Sequence, residues 1–483
     1  MLRWWPLPAL ILLGVVVLLI ASPDRHPTPA PGPGTGDERA GENLGTLPPG
    51  TPVIFLTIDT LCEDHISRSG YPRETTPFLD SLAAESIYFT RCFSQSSWTL
   101  PAMLTLISSL SPPVFGIKDG VVPPPRQDDQ PQPARVGAEA MNREIFAAAH
   151  VTLAEVFREH GYRTVGISTN GHLIERQGFA QGFDEFNETE CMWGTADCAL
   201  AEALAAIDAS SAGAAAPAEN LFLWVHLFDP HFDEHGEPPV YKPHPGYQNL
   251  FGSNEGRDVT ASTIADYDRK IRYTDDQLRL FFAELEERGI LDRSLVVIAA
   301  DHGEEFNEKG RWGHSKAVTN TLINVPLLFR LPGARAGGQV VGDVVRNLDV
   351  MPTILDLAGL PAPPGAEGTS LRPALEGRAL PSLPVYADTR RAGRDIRCLI
   401  DPALDRKVVM DERARQIAFY AFSNDFREDR NLASEQPTEA EGFARRLRAM
   451  IKTMQERAII EQEPAEIPEE ELERLRSLGY IGG

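Results

Sequence analysis

The chain is short of positive charge and of paired cysteines. Its 483 residues include 46 basic and 69 acidic side chains, which gives a formal net charge of −23. Because nonspecific binding of nucleic acid depends on a positive surface, we expect no nucleic-acid partner. None of the five cysteines belongs to a Cys-x-x-Cys pair, which excludes a zinc knuckle and a thioredoxin-type redox site. The odd count leaves at least one free thiol, and no internal repeat is present.

The apolar N-terminal segment, residues 1–22, lacks a small residue where cleavage would need one. Arg3 precedes an uncharged stretch that is long enough to cross most of a bilayer. A cut after Ala21 or Ser22 would leave a large aliphatic residue at the minus-three position, which a good cleavage site reserves for a small one. We therefore expect an uncleaved signal anchor, with a cleaved signal peptide as the alternative.

Residues 23–50 are rich in proline and glycine and predict a tether with little capacity to pack. The globular part that follows would then lie outside the cytoplasmic membrane, in the periplasm or an equivalent compartment, and would reach the membrane through the anchor. In an oxidising compartment, Cys191 and Cys198 could form a local disulfide.

Two runs rich in valine, isoleucine and leucine predict central strands that are buried on both faces, at residues 53–60 and 294–303. Strand and helix patterns alternate through residues 51–380, so we predict an α/β fold with a mostly parallel sheet between layers of helices. After about residue 380, short strand-like pieces precede a charged helix near 436–462. These predict a small C-terminal α+β subdomain over residues 381–483.

Each of the two central strands is followed by side chains that bind metals. Asp59 follows the first strand, and Asp301 and His302 follow the second. In open α/β sheets, ligand sites lie beyond the carboxyl ends of the strands, so we expect these side chains to meet. Such a set suits a divalent cation, namely Ca²⁺, Mg²⁺, Mn²⁺ or Zn²⁺. The structural alternatives are a turn residue for Asp59 and a core histidine for His302.

Thr99 begins a predicted helix that lies between the two strands in the sequence. Threonine is a favoured N-cap and Pro101 is tolerated in the first turn, so a structural role is one explanation. The same position also suits a nucleophile, because the positive end of the helix dipole and a nearby metal would lower the pKa of the hydroxyl. Thr99 is accordingly a candidate nucleophile and metal ligand.

Two histidines are candidates for contact with the reacting group. His231 follows a buried strand at 221–227, and His314 lies 13 residues after Asp301 in a glycine-containing segment. Either could protonate a leaving group or hold a transferred anion, and either could be an ordinary surface histidine. Three other histidines are interpreted as loop or core residues: His226, His235 and His244.

The order of these motifs resembles the sulfatase branch of the alkaline phosphatase superfamily. The similarity runs from about residue 51 to the C-terminus, and these segments carry it: 59–61, 64–65, 70–73, 76–80, 98–101, 226–231, 301–304, 313–314, 349–353 and 478–480. The resemblance implies an alkaline-phosphatase-like fold. It also implies roles for six residues: metal binding by Asp59, Asp301 and His302, nucleophilic attack by Thr99, and contacts to the transferred group by His231 and His314.

Three departures from the sulfatase pattern bear on the chemistry. Thr60 replaces the second metal-binding aspartate, and His302 replaces an asparagine. The signature Cys/Ser-x-Pro-Ser-Arg reads Thr-Leu-Pro-Ala-Met at residues 99–103, so the signature cysteine and arginine are missing. Oxidation of a cysteine or serine gives formylglycine, whereas oxidation of a threonine would give a ketone. The threonine must therefore attack directly, and because a sulfothreonine would be harder to clear than a phosphothreonine, phosphoryl chemistry is preferred.

We therefore expect a metal-dependent hydrolase or transferase of sulfate or phosphate esters that uses Thr99. Its partner would be a sulfated or phosphorylated small molecule, glycan or lipid, and the segments 118–142 and 232–262 would shape the pocket. Two alternatives stay open. The anchor and the threonine favour a phosphoethanolamine-type headgroup transferase, and loss of the signature residues favours a non-catalytic binding protein with the same fold.

Overall fold

A nine-stranded, mostly parallel sheet runs through the centre of the molecule. The structure is a computed structural model that describes residues 43–119, 121–122, 141–188, 190–211, 218–465, 473–474 and 477. The strands of the central sheet are β1 (Val53–Ile58), β2 (Ile87–Phe93), β5 (Arg163–Ile167), β6 (Glu185–Asn187), β7 (Leu221–Leu227), β8 (Leu295–Ala300), β11 (Asn324–Arg330), β12 (Gln339–Val341) and β13 (Val345–Arg346). The other strands of the fold form three smaller sheets.

The strand order is β12-β2-β11-β8-β1-β7-β5-β6, with β13 also paired to β2. Strand β1 is parallel to both of its neighbours, β7 and β8, and Ile58 is opposite Ala300 in the register. Every residue of β1, β7 and β8 is buried, which means that both faces of the sheet are covered. The predicted α/β class with a mostly parallel sheet is confirmed. Strand β11, however, is antiparallel to both β2 and β8.

The helices of the described residues are α1 (Pro77–Ala83), α2 (Thr99–Ser108), α3 (Pro112–Phe115), α4 (Leu153–Glu159), α5 (Ala196–Ser211), α6 (Val259–Glu287), α7 (Asn320–Ile323), α8 (Val350–Ala358), α9 (Arg372–Leu375) and α10 (Pro437–Gln455). All ten residues of α2 are buried, and its first residue, Thr99, lies beside His302, which follows β8. None of the helices in the described ranges is both long and apolar enough to span a bilayer.

A second sheet of four antiparallel strands follows the central one in the chain. Its strands are β14 (Val385–Thr389), β15 (Ile396–Asp401), β16 (Arg406–Asp411) and β17 (Gln416–Ala421), and α10 packs on them. The backbone N–H of Asp388 donates to the carbonyl of Gln95 at 3.0 Å, which joins this sheet to the segment before α2. The predicted C-terminal α+β arrangement is confirmed.

Two small sheets complete the fold. One pairs β9 (Glu305–Phe306) with β10 (Trp312–Gly313), and the other joins β3 (Val121–Val122), β4 (Met141–Ile145) and β18 (Glu461–Ala465). The predicted C-terminal helix thus ends at Gln455, and the chain returns as a strand. Most of the predicted surface loop at 118–142 lies outside the described residues.

The N-terminal predictions fall largely on residues that the structure does not describe. The anchor at 1–22 and the tether as far as residue 42 lie outside the described ranges. The last part of the tether differs from the prediction, since Leu44 and Leu47 are buried in the core and the N–H of Leu47 donates to the carbonyl of Leu357 at 2.8 Å. Cys191 and Cys198 form the expected disulfide.

Candidate active site

Thr99 is the first residue of α2 and follows Trp98, whose backbone is extended. The helix thus begins at the threonine itself, and the preceding tryptophan occupies the N-cap position without a side-chain cap. The Thr99 hydroxyl is fully buried, and its Oγ1 lies 3.3 Å from Nε2 of His302. The side chain therefore faces the neighbouring polar cluster instead of capping its own helix.

Asp59, Asp301 and His302 come together as their strands predict. Their ligand atoms all lie within 4.8 Å of one another, and all three side chains are fully buried. Nε2 of His302 is 3.4 Å from Oδ2 of Asp301 and 3.8 Å from Oδ1 of Asp59. The other oxygen of Asp301 accepts the backbone N–H of Thr60 at 3.1 Å, where a left-handed backbone (φ 56°) turns the chain away from β1.

Several buried polar atoms of this cluster are left without a hydrogen bond among the described residues. They are Oδ1 of Asp59, Oδ2 of Asp301 and Oγ1 of Thr60. Burial and the nearby Asp301 carboxylate raise the pKa of Asp59, and burial also raises the pKa of Asp301. Two buried carboxylates at this separation repel each other, so the cluster favours a cation. Two carboxylates and an imidazole suit a divalent metal, and the residues present therefore fit one.

Asn170 and His226 adjoin Asp59, although neither is among the predicted site residues. Nδ2 of Asn170 donates to Oδ2 of Asp59 at 2.9 Å. His226 was interpreted as a loop or core residue and is indeed buried within β7, but its Nε2 lies 3.6 Å from the same carboxylate oxygen. The position of His226 on a strand next to β1 was the available signal.

His314 lies against His302, with 4.5 Å between the ring centroids. Its Nδ1 is 3.1 Å from Oε1 of Glu304, whose other oxygen accepts the hydroxyl of Tyr241 at 2.9 Å. A carboxylate at Nδ1 holds the proton on that nitrogen, which leaves Nε2 to act on another group. Burial, with smaller effects from nearby positive charges, lowers the pKa of His314 well below its usual value.

His231 packs beside His314 at a centroid separation of 5.0 Å. Its Nδ1 donates to the carbonyl of Phe232 at 2.8 Å, and Nζ of Lys270 donates to the His231 carbonyl at 2.7 Å. Burial, together with the charges of His302, Lys270 and Arg391, lowers the pKa of His231 well below its usual value. The two candidate histidines are therefore adjacent, and burial favours the neutral form of both rings.

A small cavity adjoins these histidines and carries positive charge. The residues that line it are Phe232, His235, Gly236, Pro239, Trp312, Gly313, His314, Ser315, Lys316 and Arg391. The guanidinium carbon of Arg391 lies 4.7 Å from the ring centroid of Trp98, next to Thr99, although Arg391 belongs to the segment after β14. No motif in the sequence indicated this arginine, because it is 292 residues away from the nucleophile position along the chain.

Comparison with known proteins places the chain in a family. The family model described as Sulfatase matches residues 51–360. The ulvan-active sulfatase of Formosa agariphila is 23% identical over 355 residues, which cover 66% of this chain and 64% of that enzyme. The chain thus covers less than two thirds of the length of this relative.

Solved structures share the fold at low sequence identity. The phosphonate monoester hydrolase of Silicibacter pomeroyi superposes with a TM-score of 0.62 at 18% identity, over 83% of this chain and 95% of that one. BT4656, solved with its substrate D-glucosamine-2-N,6-O-disulfate, gives a TM-score of 0.65 at 18% identity, over 84% and 98%. Since the family model matches more than half of its residues, the chain belongs to the sulfatase family.

Proposed function

We propose that this protein is a metal-dependent hydrolase of phosphate-type or sulfate esters in which Thr99 is the nucleophile. One observation carries the proposal. The Thr99 hydroxyl is buried at the start of α2, 3.3 Å from His302, beside two carboxylates that each have one oxygen without a hydrogen-bond partner among the described residues. A nucleophile and a cation site in contact are what in-line transfer of an anionic group requires.

The site residues would have three roles: metal binding, nucleophilic attack and proton transfer. Asp59, Asp301 and His302 would hold a divalent metal, and Thr99 would complete its ligand set. The metal would supply a lowered pKa for the hydroxyl and positive charge against the ester oxygens. The Oγ1 of Thr99 would attack and the ester bond to the leaving group would break, while Nε2 of His314 or His231 would take up the proton of the threonine hydroxyl and pass it to the leaving oxygen. Water then releases the group from the threonine.

The threonine favours phosphoryl over sulfuryl transfer, because it cannot become formylglycine and its ester must be cleared by attack at the central atom. The phosphonate monoester hydrolase among the structural neighbours agrees with this preference. Substrates would be phosphorylated or sulfated small molecules, glycans or lipids. The headgroup-transferase alternative gains no support from the ulvan-active sulfatase or from the phosphonate monoester hydrolase.

The location of the protein follows as a further part of the proposal. The disulfide between Cys191 and Cys198 supports an oxidising, extracytoplasmic compartment. A membrane anchor at residues 1–22 would place the enzyme there, and this anchor lies outside the described residues. The division into a linker, a catalytic domain at 51–380 and a subdomain at 381–483 stays a prediction, except that the packed residues Leu44 and Leu47 do not belong to a free linker.

The experiment compares Thr99→Ala with Thr99→Ser on aryl phosphate monoesters and diesters, a phosphonate monoester and an aryl sulfate, with added metal. We expect Thr99→Ala to lower kcat/KM at least about 10³-fold and Thr99→Ser to keep part of the activity, because serine retains the hydroxyl. Acid-quenched wild-type protein should carry a phosphoryl group on Thr99 by mass spectrometry. Turnover that survives Thr99→Ala would contradict the proposal, and no turnover with no bound metal would favour the binding-protein alternative.

A further inference from the structure

Asn170 reaches the metal cluster from a third strand of the central sheet. It is fully buried and lies in the loop after β5, whereas the three candidate ligands follow β1 and β8. Its Nδ2 donates a hydrogen bond to Oδ2 of Asp59 at 2.9 Å. Nε2 of His226 is 3.6 Å from the same oxygen, which is beyond hydrogen-bond reach, so it is Asn170 that holds this oxygen.

The orientation of the Asn170 amide is fixed by its other end. Its Oδ1 accepts the backbone N–H of His172 at 2.9 Å, and an N–H group can only donate. The amide oxygen must therefore face His172, and the NH₂ group must face the Asp59 carboxylate. The backbone carbonyl of Asn170 also accepts the N–H of Leu173 at 2.8 Å, so the turn that carries the amide is held in place.

The two carboxylates of the cluster share one arrangement. Oδ1 of Asp301 accepts the backbone N–H groups of His302 at 2.8 Å and of Thr60 at 3.1 Å, and its Oδ2 has no hydrogen-bond partner among the described residues. In Asp59, Oδ2 is held by Asn170 and Oδ1 has no such partner. The two open oxygens are the ones that face Nε2 of His302, at 3.4 Å for Asp301 and 3.8 Å for Asp59.

The two carboxylates differ in what holds the bonded oxygen. Backbone N–H groups hold Asp301, whereas a side chain from another loop holds Asp59. This side chain is a neutral amide, so it orients the Asp59 carboxylate and leaves its negative charge for a cation. Hydrogen bonds of this kind fix the geometry of metal ligands, and their loss typically weakens metal binding about 10–100-fold.

We propose that Asn170 is a positioning residue of the metal centre, which holds Asp59 so that Oδ1 alone binds the ion. Without the amide, the Asp59 carboxylate is free to rotate, because the torsion that turns its two oxygens has a broad energy minimum. Either oxygen could then approach the cation, and the ligand set would no longer be arranged in advance. The proposal rests on the metal dependence of the proposed function.

The test measures metal binding directly, on full-length protein stripped with a chelator. Zn²⁺ affinity is measured by competition with a chromophoric chelator, and Co²⁺ is added alone to record its visible absorption. We expect Asn170→Ala to weaken Zn²⁺ binding at least about tenfold and to change the Co²⁺ spectrum, because the geometry at Asp59 is no longer fixed.

Asn320→Ala is the matched control. Asn320 is also buried and its amide also makes two hydrogen bonds, to the carbonyl of Phe426 at 2.9 Å and with Nζ of Lys407 at 3.0 Å. Neither partner is a candidate metal ligand. Both variants should therefore unfold at a lower temperature than the wild type, and only Asn170→Ala should lose metal affinity.

The outcomes separate this proposal from the one it rests on. Zn²⁺ affinity within about twofold of wild type in Asn170→Ala, with binding lost in Asp301→Asn, would overturn the role of Asn170 alone. An equal loss of affinity in Asn320→Ala would also overturn it, because the effect would then come from the stability of the fold. Wild-type protein that binds neither ion would overturn both proposals.

A crystal structure of the Zn²⁺-loaded wild-type protein tests the proposal without any variant, and it decides the case in which Asn170→Ala does not fold. Asp59 should bind the ion through Oδ1 only, with Oδ2 still within hydrogen-bond distance of Nδ2 of Asn170. Binding through Oδ2, or through both oxygens, would overturn the proposal.

Discussion

Two buried charged clusters of this protein differ in how many of their polar atoms have hydrogen-bond partners. The first lies between the central sheet and the four-stranded sheet. Nζ of Lys407 is fully buried there and donates to the carbonyl of Val318 at 2.6 Å, to Oδ1 of Asn320 at 3.0 Å and to Oε1 of Glu428 at 2.5 Å. All three hydrogens of the ammonium group have acceptors, so this cluster is complete in the protein alone.

The second cluster is the candidate active site at the ends of β1 and β8. Oδ1 of Asp59, Oδ2 of Asp301 and Nε2 of His226 have no hydrogen-bond partner among the described residues. A buried polar atom without a partner costs about 1–3 kcal/mol, and more when it is charged. We infer that the two clusters have different roles. The Lys407 cluster, whose polar atoms all have partners, stabilises the fold, whereas the candidate active site, several of whose polar atoms lack partners among the described residues, is arranged to bind a ligand.

The largest effect should come from the unsatisfied cluster. We expect Asp301→Asn to lower kcat/KM by at least about 10⁴-fold, which is about 5.5 kcal/mol, because it removes a charged metal ligand. Metal-free stability should stay the same or rise, since one of two repelling buried carboxylates is neutralised. Steady-state kinetics at saturating metal and thermal unfolding in chelator measure the two quantities. A marked loss of metal-free stability would mean that the carboxylate serves the fold.

The sequence reveals this cluster in part. Continuous apolar runs identify β1 and β8, and their carboxyl ends bring Asp59 to Asp301 and His302 as expected. The meeting of these three side chains could be predicted because the carboxyl ends of parallel strands lie at the same edge of a sheet. The direction of β11 could not be predicted, since an apolar run reads the same in a parallel or an antiparallel strand.

Residues brought in by long-range packing escaped the sequence analysis for a different reason. Asn170 and Arg391 lie far along the chain from Thr99, and no local pattern marks either of them. For Leu44 and Leu47 the local sequence was misleading. The surrounding residues are rich in proline and glycine and predict a tether, whereas both side chains pack in the core. Composition describes a segment on average and does not exclude individual buried residues.

Substitutions in the Lys407 cluster should lower the stability of the fold and leave catalysis unchanged. We expect Lys407→Met to lower the free energy of unfolding by about 3–5 kcal/mol, because Glu428 would stay buried without its cation. The activity of the folded fraction should not change. Lys309→Met is the matched control: it removes an ion pair with the largely exposed Asp429 and a hydrogen bond to the Glu428 carbonyl, leaves the Glu428 carboxylate paired with Lys407, and should cost about 1 kcal/mol. Denaturant unfolding of both variants checks the comparison, and equal losses would contradict it.

The smallest predicted effect is a change in KM. It should differ between two adjacent arginines that follow β14, Arg390 and Arg391. Arg390 pairs with Asp388 and donates to the carbonyls of Pro112 and Ile117, whereas Arg391 lines the cavity beside Trp98. If Arg391 binds the anionic ester through its charge alone, away from the reacting bond, it would contribute equally in the ground and transition states. Arg391→Gln should therefore raise KM about 10–30-fold, or about 1.5–2 kcal/mol, with kcat little changed.

Arg390→Gln is the matched control for that variant, since it removes the same charge one residue away. We expect it to lower stability and to leave KM for anionic esters unchanged, because its guanidinium is used in contacts that hold the chain together. Kinetics on a charged and an uncharged ester at two salt concentrations would measure the effect. A KM increase shared by both arginine variants would mean that the binding charge is spread over this surface and is not supplied by Arg391 alone.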